Sequence, residues 1–323
     1  MDDFSHILGW DYRLDLPAQS ALALGVVPAE GLTELFALTD RLRREHSGNS
    51  VHLCAIVNAK SGRCPEDCRF CAQSAHWATD ATAYPLLSAD RIVAAAREAR
   101  DRGARAFGIV TSGKGIELEE EVAEIERAVA RVAALGLRPC VSPGIVSADT
   151  LARWQAAGLW RFHHNLETAR SFFPFVCSTH DYEEDVAAVR RAQALGLSVC
   201  CGGLFGLGES WEQRVELGLT LRELRPDSVP VNFLIPVAGT PLADAPGLAP
   251  LECLRAIALL RLMMPGASIR LCGGRERNLR SLQSLIFAAG ADSIMVGDML
   301  TTTGPAVATD LALLADLGLE PAR

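Results

Sequence analysis

Four stretches of the chain share one pattern: AALGLRPCVS (133–142), QAAGLWRFHHN (155–165), QALGLSVCCGG (193–203) and FAAGADSIMVG (287–297). In each, a helix-forming segment ends at a glycine, and a short run typical of a β-strand follows. The glycine stands where a helix C-cap takes a left-handed conformation, which glycine adopts at little cost. These positions are Gly136, Gly158, Gly196 and Gly290. The repeated pattern predicts helix-to-strand connections along the chain.

Collecting the strand-like runs gives eight predicted strands, near residues 51–58, 105–112, 138–142, 160–165, 197–204, 229–235, 268–272 and 292–297. Amphipathic helical segments lie between most of them, and Ser88 and Ser147 are predicted to be the N-caps of two. Alternating strands and helices indicate a parallel sheet. Eight units favour a closed (β/α)8 barrel of the TIM type over an open doubly wound sheet. The chemistry of such a barrel lies at the C-terminal ends of its strands.

The chain is predicted to be a single α/β domain over residues 1–323, because no linker or low-complexity segment interrupts it. Residues 1–45 are expected to form a helical lead-in, about 50–304 the barrel core, and 305–323 a C-terminal helix.

The composition excludes several classes of protein. The 323 residues include 31 Lys and Arg against 39 Asp and Glu, a net charge of −8. An acidic chain without a basic block is a poor candidate for binding nucleic acid or an anionic membrane. No apolar run reaches the length of about 18 residues that suggests a membrane span, and no secretory signal pattern is visible. We therefore expect a cytoplasmic protein, in which ten cysteines indicate metal binding or catalysis before disulfides.

The most specific motif follows the first predicted strand, in NAKSGRCPEDCRFCAQS (58–74). Cys64, Cys68 and Cys71 have the spacing C-x3-C-x2-C, which places three thiolates on one short loop. Three thiolates bind three irons of a 4Fe–4S cluster, and without a fourth cysteine nearby one iron stays open, as a catalytic cluster requires. A zinc site, which usually takes four ligands, and a cluster completed by a remote cysteine are the alternatives.

With Phe70 before its last cysteine, the triplet resembles that of the radical S-adenosylmethionine (SAM) superfamily. That resemblance implies that SAM binds the open iron and is cleaved to a 5′-deoxyadenosyl radical. Longer stretches, spread over residues 50–304, resemble the biotin synthase family. They are SGRCPEDCRFCAQS, HHNLETA, CCGGLFGLGE, DSVPVNFLIPVAGTPLAD, LRLMMPGASIRLCGGRE and AGADSIMVGDMLTT.

The resemblance to biotin synthases implies a reaction and its partners. The expected reaction is radical insertion of sulfur into dethiobiotin to give biotin, with an auxiliary iron–sulfur cluster inside the barrel as the sulfur source. Two SAM cleavages would activate two carbons in turn. The expected partners are flavodoxin or ferredoxin as electron donor and a second copy of the chain in a homodimer.

Polar residues after the fourth predicted strand are candidates for SAM binding. Asn165 and Glu167 lie two apart in HHNLET, so their side chains share a direction in an extended chain. By resemblance they hold the ribose hydroxyls of SAM, and Asn165 also lies near the substrate. A polar cluster on a surface loop is the alternative.

Four further residues are assigned by resemblance. Phe70, and Gly206 and Leu207 in GGLFGLGE, are expected to contact SAM, since a glycine-rich strand lets a flat ligand approach the backbone. Asn232 interrupts the apolar strand VPVNFLI and is expected to bind the ureido ring of dethiobiotin. A core asparagine bonded to the backbone is the alternative for Asn232.

Four further cysteines fall on four different predicted strands, from which side chains converge inside a barrel; they are Cys54, Cys140, Cys200 and Cys272. In the well-known biotin synthases the resemblance implies a 2Fe–2S cluster held by three cysteines and one arginine. Cys140, Cys200 and Arg270 match three of those positions, but the fourth falls at Gly108, which has no side-chain ligand. We therefore hypothesise a rearranged set, in which the four cysteines bind a cluster of the 2Fe–2S or a four-iron type beside Arg270. Burial as small hydrophobic residues is the alternative.

The other cysteines are less informative. Cys253 is expected to pack in a helix, only one of the adjacent Cys200 and Cys201 is expected to point inward, and Cys177 has no predicted role. Two other functions stay open at this point. One is another radical SAM barrel enzyme, of the hydrogenase-maturation or pyrrolysine-mutase type, which needs no sulfur insertion. The other is a non-enzymatic iron–sulfur or zinc protein in which a fourth ligand closes the Cys64–Cys68–Cys71 site.

Overall fold

A computed structural model describes residues 7–302, 304 and 306–322, so residues 1–6 of the predicted lead-in and residues 305 and 323 of the predicted tail lie outside the described part. Its helices are α1 (Ala18–Ala23), α2 (Leu32–Ser47), α3 (Ala89–Asp101), α4 (Glu119–Ala134), α5 (Ala148–Ala156), α6 (Phe173–Val176), α7 (Tyr182–Ala194), α8 (Trp211–Leu224), α9 (Pro250–Met263), α10 (Arg275–Leu279), α11 (Leu285–Ala288) and α12 (Val307–Asp316). Its strands are β1 (Ser50–Lys60), β2 (Ala106–Thr111), β3 (Arg138–Ser142), β4 (Arg161–His163), β5 (Ser198–Cys200), β6 (Gly203–Phe205), β7 (Ser228–Phe233), β8 (Ser268–Leu271), β9 (Ser293–Met295) and β10 (Glu320–Pro321).

Strands β1 to β9 form a closed parallel barrel, in which β5 and β6 together occupy one of the eight strand positions. The barrel closes where β9 pairs with β1, with His52 opposite Ser293. The predicted (β/α)8 barrel of the TIM type is therefore confirmed. The hydrophobic core lies between the sheet and the surrounding helices, where Trp154, Phe107 and Phe162 are completely or almost completely buried.

The local signals that suggested the barrel are also confirmed. All four C-cap glycines of the repeated pattern have positive φ, from 73° at Gly196 to 115° at Gly290. Ser88 accepts a hydrogen bond from the amide of Arg91, and Ser147 accepts one from the amide of Thr150, so both serines cap the helices that follow.

The predicted strand at 197–204 is wrong as a continuous element, because it is broken into β5 and β6. Both parts pair with β7, through Cys200 opposite Ser228 and Gly203 opposite Val231. Pro230 lies opposite the break, and proline has no amide hydrogen with which to continue the ladder.

The predicted tail is only partly helical. Helix α12 ends at Asp316, and the chain then forms the short strand β10, which pairs with the start of β1 outside the barrel. Leu319 and Leu314 are buried at this junction.

The lead-in contains α1, two 3-10 turns (Leu24–Val26 and Ala29–Gly31) and α2, which packs on α9 and α11. Within the described residues, no single helix is long and apolar enough to cross a membrane. By length and composition alone, one pair of helical segments bent by 118°, Ala18–Val26 with Ala29–Ser47, passes the same test.

Candidate active site

The loop after β1, residues 61–77, is here called the cysteine loop. It folds back on itself, because the amide of Cys64 donates to the carbonyl of Gln73 and the amide of Ala75 donates to that of Cys64, at 3.0 and 2.8 Å. The indole of Trp77 donates to the carbonyl of Cys68 at 3.0 Å. These bonds hold the three predicted cluster ligands half-buried on one short segment.

The surroundings of the three loop thiols favour their protonated form in the absence of a metal. Burial raises the pKa of Cys64, and it raises the pKa of Cys71 to about 11. Hydrogen bonding to Cys177, together with burial, raises the pKa of Cys68. Buried thiols of this kind stay protonated on their own and lose the proton when a metal coordinates them. The three residues therefore fit the cluster that their spacing predicts.

A cavity of about 310 Å³ opens inside the barrel beneath the cysteine loop. Among its lining residues are nine that the sequence singled out for cluster, SAM or substrate binding: Cys54, Phe70, Cys71, Cys140, Asn165, Glu167, Asn232, Arg270 and Cys272. The loop residues lie at the mouth of the barrel, and the barrel cysteines come from strands that form its wall. The cavity therefore joins the two predicted cluster sites.

Asn165 and Glu167 follow the end of β4 and face this cavity. Glu167 has φ of 59°, a left-handed conformation that costs a non-glycine residue about 1–2 kcal/mol. Burial raises the pKa of its carboxyl group to about 7. The Oδ1 atom of Asn165 is buried and has no hydrogen-bond partner among the described residues. A ligand with hydroxyl groups would supply the missing donor.

The strained turn at Glu167 depends on a glycine in the neighbouring strand. The amide of Leu204 donates to the Glu167 carbonyl at 2.7 Å, and a Cβ atom at Gly203 would lie 2.7 Å from the same oxygen. Only glycine permits this close approach without displacing the backbone.

Gly206 and Leu207 are not among the described residues that line the cavity. Their amides both donate to the buried carboxylate of Glu209, at 3.0 and 2.8 Å. Glu209 in turn pairs with Arg214 at 2.7 Å. The glycine-rich segment is thus held by a buried ion pair, while Leu204 of the same segment reaches the cavity.

Asn232, on β7, is tied to the backbone at both ends of its amide. Its Nδ2 donates to the carbonyl of Gly203 at 3.3 Å, and its Oδ1 accepts from the amide of Gly273 at 3.1 Å. The Nδ2 group offers two N–H donors and Oδ1 can accept two hydrogen bonds, so each backbone bond leaves one position free. Asn232 therefore lines the cavity in a fixed orientation with hydrogen-bonding capacity left.

The barrel cysteines, defined as Cys54, Cys140, Cys200 and Cys272, are all buried and free. Arg270 lies among them and donates to the Sγ of Cys200 at 3.5 Å. Burial opposes ionisation of Cys200, but Arg270 and His163 outweigh it and lower the pKa of this thiol to about 6. Burial raises the pKa of the other three thiols. Cys200 does not itself line the cavity and is connected to it through Arg270.

Sequence reasoning missed two residues at this site, Arg161 and His163. Arg161 is paired with Cys140 across the β3–β4 ladder, and its Nε donates to the hydroxyl of Ser198 at 2.9 Å. His163 lines the cavity and, with Arg270, lowers the pKa of Cys200. Both lie an even number of residues before Asn165, so the strand alternation that placed Asn165 was the signal that could have found them.

The remaining cysteines lie outside the cavity. Cys253 and Cys201 are fully buried in the hydrophobic core. Cys177 lies on the outer side of the cysteine loop, where hydrogen bonding with Cys68 lowers the pKa of its thiol to about 5. Cys177 also lines a separate outer cavity of about 340 Å³ and not the one that Cys71 faces. It is therefore poorly placed to close the open side of the triplet.

Two family models match the chain. The radical SAM superfamily matches residues 59–221, which contain the cysteine loop and Glu167, and the Biotin and Thiamin Synthesis associated domain matches residues 230–320. Together with the barrel and the cavity beneath the triplet, the first match defines the class: the chain is a radical SAM enzyme. This class implies a 4Fe–4S cluster and SAM.

The particular family follows from the curated relatives. A biotin synthase from Trichlorobacter lovleyi is 53% identical over 309 residues, which cover 95% of this chain and 93% of that protein. A biotin synthase from Geobacter sulfurreducens is 56% identical over 286 residues, which cover 88% and 87%. The chain belongs to the biotin synthase family, whose members are radical SAM sulfurtransferases.

Solved structures with the same fold are more distant in sequence. Methylornithine synthase is similar with a TM-score of 0.85 at 21% identity, covering 100% of this chain and 98% of that one. The hydrogenase maturase HydG from Carboxydothermus hydrogenoformans gives 0.83 at 18%, covering 99% and 79%. At these identities the likeness shows the barrel alone.

Proposed function

We propose that the chain catalyses sulfur insertion into dethiobiotin to give biotin, with sulfur supplied by an auxiliary iron–sulfur cluster at the barrel cysteines. The observation that carries this proposal is the single cavity of about 310 Å³. Cys71 lines it on the side of the cysteine loop, and Cys54, Cys140 and Cys272 line it on the barrel wall. A substrate in that space would lie between a radical source and a sulfur source.

When bound, SAM on its cluster supplies a 5′-deoxyadenosyl radical, and the auxiliary cluster supplies sulfur. Cys64, Cys68 and Cys71 would hold the first cluster. Asn165 and Glu167 would orient SAM through its ribose hydroxyls, since both present polar atoms to the cavity. Phe70 and Leu204, which line the cavity, would contact SAM. Gly206 and Leu207 would support this segment from outside the cavity, through their bonds to Glu209.

The substrate would be placed by Asn232, helped by Asn165. A cyclic urea presents one acceptor and two donors, and the Asn232 amide retains one donor and one acceptor position beyond its backbone bonds. Because those backbone bonds fix the amide, it would orient the ring without reorganising. The enclosing barrel wall would exclude water from the reacting groups.

The barrel cysteines would hold the auxiliary cluster as a four-cysteine set, of the 2Fe–2S or a four-iron type, with Arg270 beside it. The set is supported by the burial of all four thiols and by the contact between Arg270 and Cys200. Gly108, which lines the cavity on β2, adds no ligand there. Arg161 and Arg270 would offset the negative charge of a thiolate-bound cluster.

Several finer features belong to the same proposal. The chain would act as one domain, since the two matched family regions contribute strands to one closed barrel. It would work in the cytoplasm as a homodimer. The low potential of the first cluster would require flavodoxin or ferredoxin as electron donor.

An anaerobic assay tests the proposal. The protein is loaded with iron and sulfide, reduced with dithionite and given SAM and dethiobiotin, and biotin and 5′-deoxyadenosine are measured by mass spectrometry. We expect biotin with about two deoxyadenosines per turnover, one for each carbon activated. Cys64→Ala should produce neither product, whereas Cys253→Ser, which changes a buried cysteine in the core, should behave like the wild type.

Two other results would contradict the proposal. Deoxyadenosine without biotin would keep the radical SAM chemistry and give the chain a different substrate, as in the maturase and mutase types. No deoxyadenosine from a fully loaded protein would leave a non-catalytic iron–sulfur protein.

A further inference from the structure

A second group of metal-binding side chains lies on the outer side of the cysteine loop. Glu66 of that loop faces Cys177 and His180, which lie between α6 and α7. One carboxylate oxygen, the Cys177 Sγ and one imidazole nitrogen all lie within 4.8 Å of one another. Glu66 and Cys177 are buried, at 7% and 4% exposure. Neither Cys177 nor His180 is among the residues proposed above for the two clusters or for SAM.

The histidine is oriented in the way that metal-binding histidines are. Its Nδ1 faces Glu66 and lies 3.3 Å from the Cys177 Sγ, while its Nε2 lies 3.2 Å from a carboxylate oxygen of Asp185. The other oxygen of Asp185 is 2.7 Å from His164. Burial opposes protonation of His180, but its hydrogen bonds to Asp185 and Cys177 outweigh burial and raise its pKa to about 11. Without a metal the ring therefore carries both protons, and a metal would displace the one on Nδ1 while Asp185 holds Nε2.

The carboxylate ligand is also held in place from behind. The hydroxyl of Thr179 donates to the Oε2 of Glu66 at 2.7 Å. Asp67, next along the loop, accepts from the backbone amide of Ser178 at 2.8 Å, so the loop and the α6–α7 segment are joined at two adjacent points. The three candidate ligands thus have little freedom to turn away from one another.

The charges around the group are compatible with a bound cation. Glu66 and Asp185 are buried carboxylates, and Asp67 and the Cys177 thiol lie against them. Within the described part of the chain, the only ion-pair partners of Glu66 and Asp185 are His164 and His180. Lys114, whose charge interacts with Glu66 and Asp185, is paired with the exposed Glu184 at 2.9 Å. A metal bound at Nδ1 would replace the positive charge that His180 carries there and would continue to compensate these buried carboxylates.

We propose that Glu66, Cys177 and His180 bind one divalent transition-metal ion. Zinc is the expected ion, because it prefers thiolate, imidazole and carboxylate ligands, and water would take the fourth position. Binding displaces the proton on the Nδ1 side of His180 and leaves Asp185 as the hydrogen-bond acceptor of its Nε2. The ion pins the cysteine loop, between Cys64 and Cys68, to the α6–α7 segment. This inference does not depend on the proposed reaction.

Metal analysis of the iron-loaded holoprotein tests the site. The protein is incubated anaerobically with zinc sulfate, freed of unbound metal by gel filtration, and analysed for zinc and iron by mass spectrometry. We expect about one zinc per chain in the wild type. Cys177→Ser and His180→Gln should lose the zinc at unchanged iron content, and Cys253→Ser should retain it. Asp185→Asn, which keeps all three ligands, should weaken zinc binding about 10–100-fold.

Cobalt provides a second readout that depends on the thiolate. Co²⁺ bound at the site should show thiolate-to-cobalt charge-transfer absorption that Cys177→Ser abolishes. A wild-type holoprotein that takes up no zinc would overturn the proposal and leave these contacts as a hydrogen-bonded network. The proposal would also be overturned if both ligand variants took up as much zinc as the wild type. It would fail equally if zinc uptake rose only as iron was lost from the triplet.

Discussion

The cysteine loop and the barrel cysteines are two thiol sites built in opposite ways. The three cysteines of the loop lie within eight residues, and hydrogen bonds inside the loop hold them. The barrel cysteines are spread from Cys54 to Cys272, and only the closure of the sheet brings them together. The loop is therefore a motif that sequence spacing alone reveals, whereas the barrel site is a property of the fold.

The two sites also differ in their electrostatics. Burial or hydrogen bonding raises the pKa of all three loop thiols, and none of the largest contributions comes from an arginine or lysine. The barrel thiols lie between two guanidinium groups, and the pKa of Cys200 falls to about 6. At the barrel site, two guanidinium groups are in place to compensate the negative charge of a thiolate-bound cluster. At the loop, that negative charge would have to be compensated in another way.

The largest expected effect is on 5′-deoxyadenosine formation, which should depend on the cysteine loop and not on the barrel cysteines. Cys71→Ala should remove the loop cluster and reduce 5′-deoxyadenosine formation by about 1000-fold or more, since SAM loses its iron. Iron at the barrel cysteines should remain. Electron paramagnetic resonance of the reduced protein and iron counts on the same sample measure both. Deoxyadenosine formation at the wild-type rate would show that the triplet does not hold the catalytic cluster.

The next effect falls on the other site. Cys54→Ala and Cys272→Ala should each lower the iron content of the barrel site and reduce biotin formation by about 100-fold or more, because a cluster ligand is lost. Deoxyadenosine should still form, since the cysteine loop is untouched. Cys201→Ala, in which the core cysteine next to Cys200 is changed, is the matched control. Retention of the second cluster in both ligand variants would show that the four-cysteine set is wrong.

The contrast explains what the sequence could predict. The barrel followed from glycine caps and strand patterns, and the loop from spacing, because both are local signals. The break opposite Pro230 was missed, since it arises from a proline in the neighbouring strand. The position of Cys177 could not be predicted either. Its neighbour Asp67 is 110 residues away in the chain, and only the packing of α6 against the loop brings them together.

The cavity residues lie between these two cases. The alternation used for Asn165, which lines the cavity just beyond the end of β4, extends backwards to His163 and Arg161. Their significance was hidden, because a histidine and an arginine on a short strand acquire a role only beside the cysteines of β3 and β5. The backbone bonds of Asn232 were weighed as an alternative and are present, yet its side chain still lines the cavity.

A smaller effect tests whether the charge of the barrel site matters. Arg161→Gln should keep the four thiols but remove one cation, and we expect iron to be lost from the barrel site about tenfold faster under chelation. Arg138→Gln is the control, because Arg138 contacts the same Trp160 ring from an exposed position. Equal rates in wild type and Arg161→Gln would mean that the thiols alone determine retention.

The smallest expected effect is a dependence of SAM affinity on pH, which should arise at the SAM end of the cavity and not at the barrel cysteines. Burial raises the pKa of Glu167 to about 7, so between pH 6 and pH 8 its carboxyl changes from mostly protonated to mostly ionised. The ionised form accepts hydrogen bonds from two ribose hydroxyls, so the affinity for SAM should rise with pH, by up to about tenfold over this range. The amino group of SAM titrates nearby, and comparing the wild type with Glu167→Gln at each pH cancels that contribution. The ratio of their dissociation constants, measured by anaerobic equilibrium dialysis, should therefore change with pH, while iron at the barrel cysteines stays constant. A ratio independent of pH would show that Glu167 is already ionised at pH 6 or does not contact SAM.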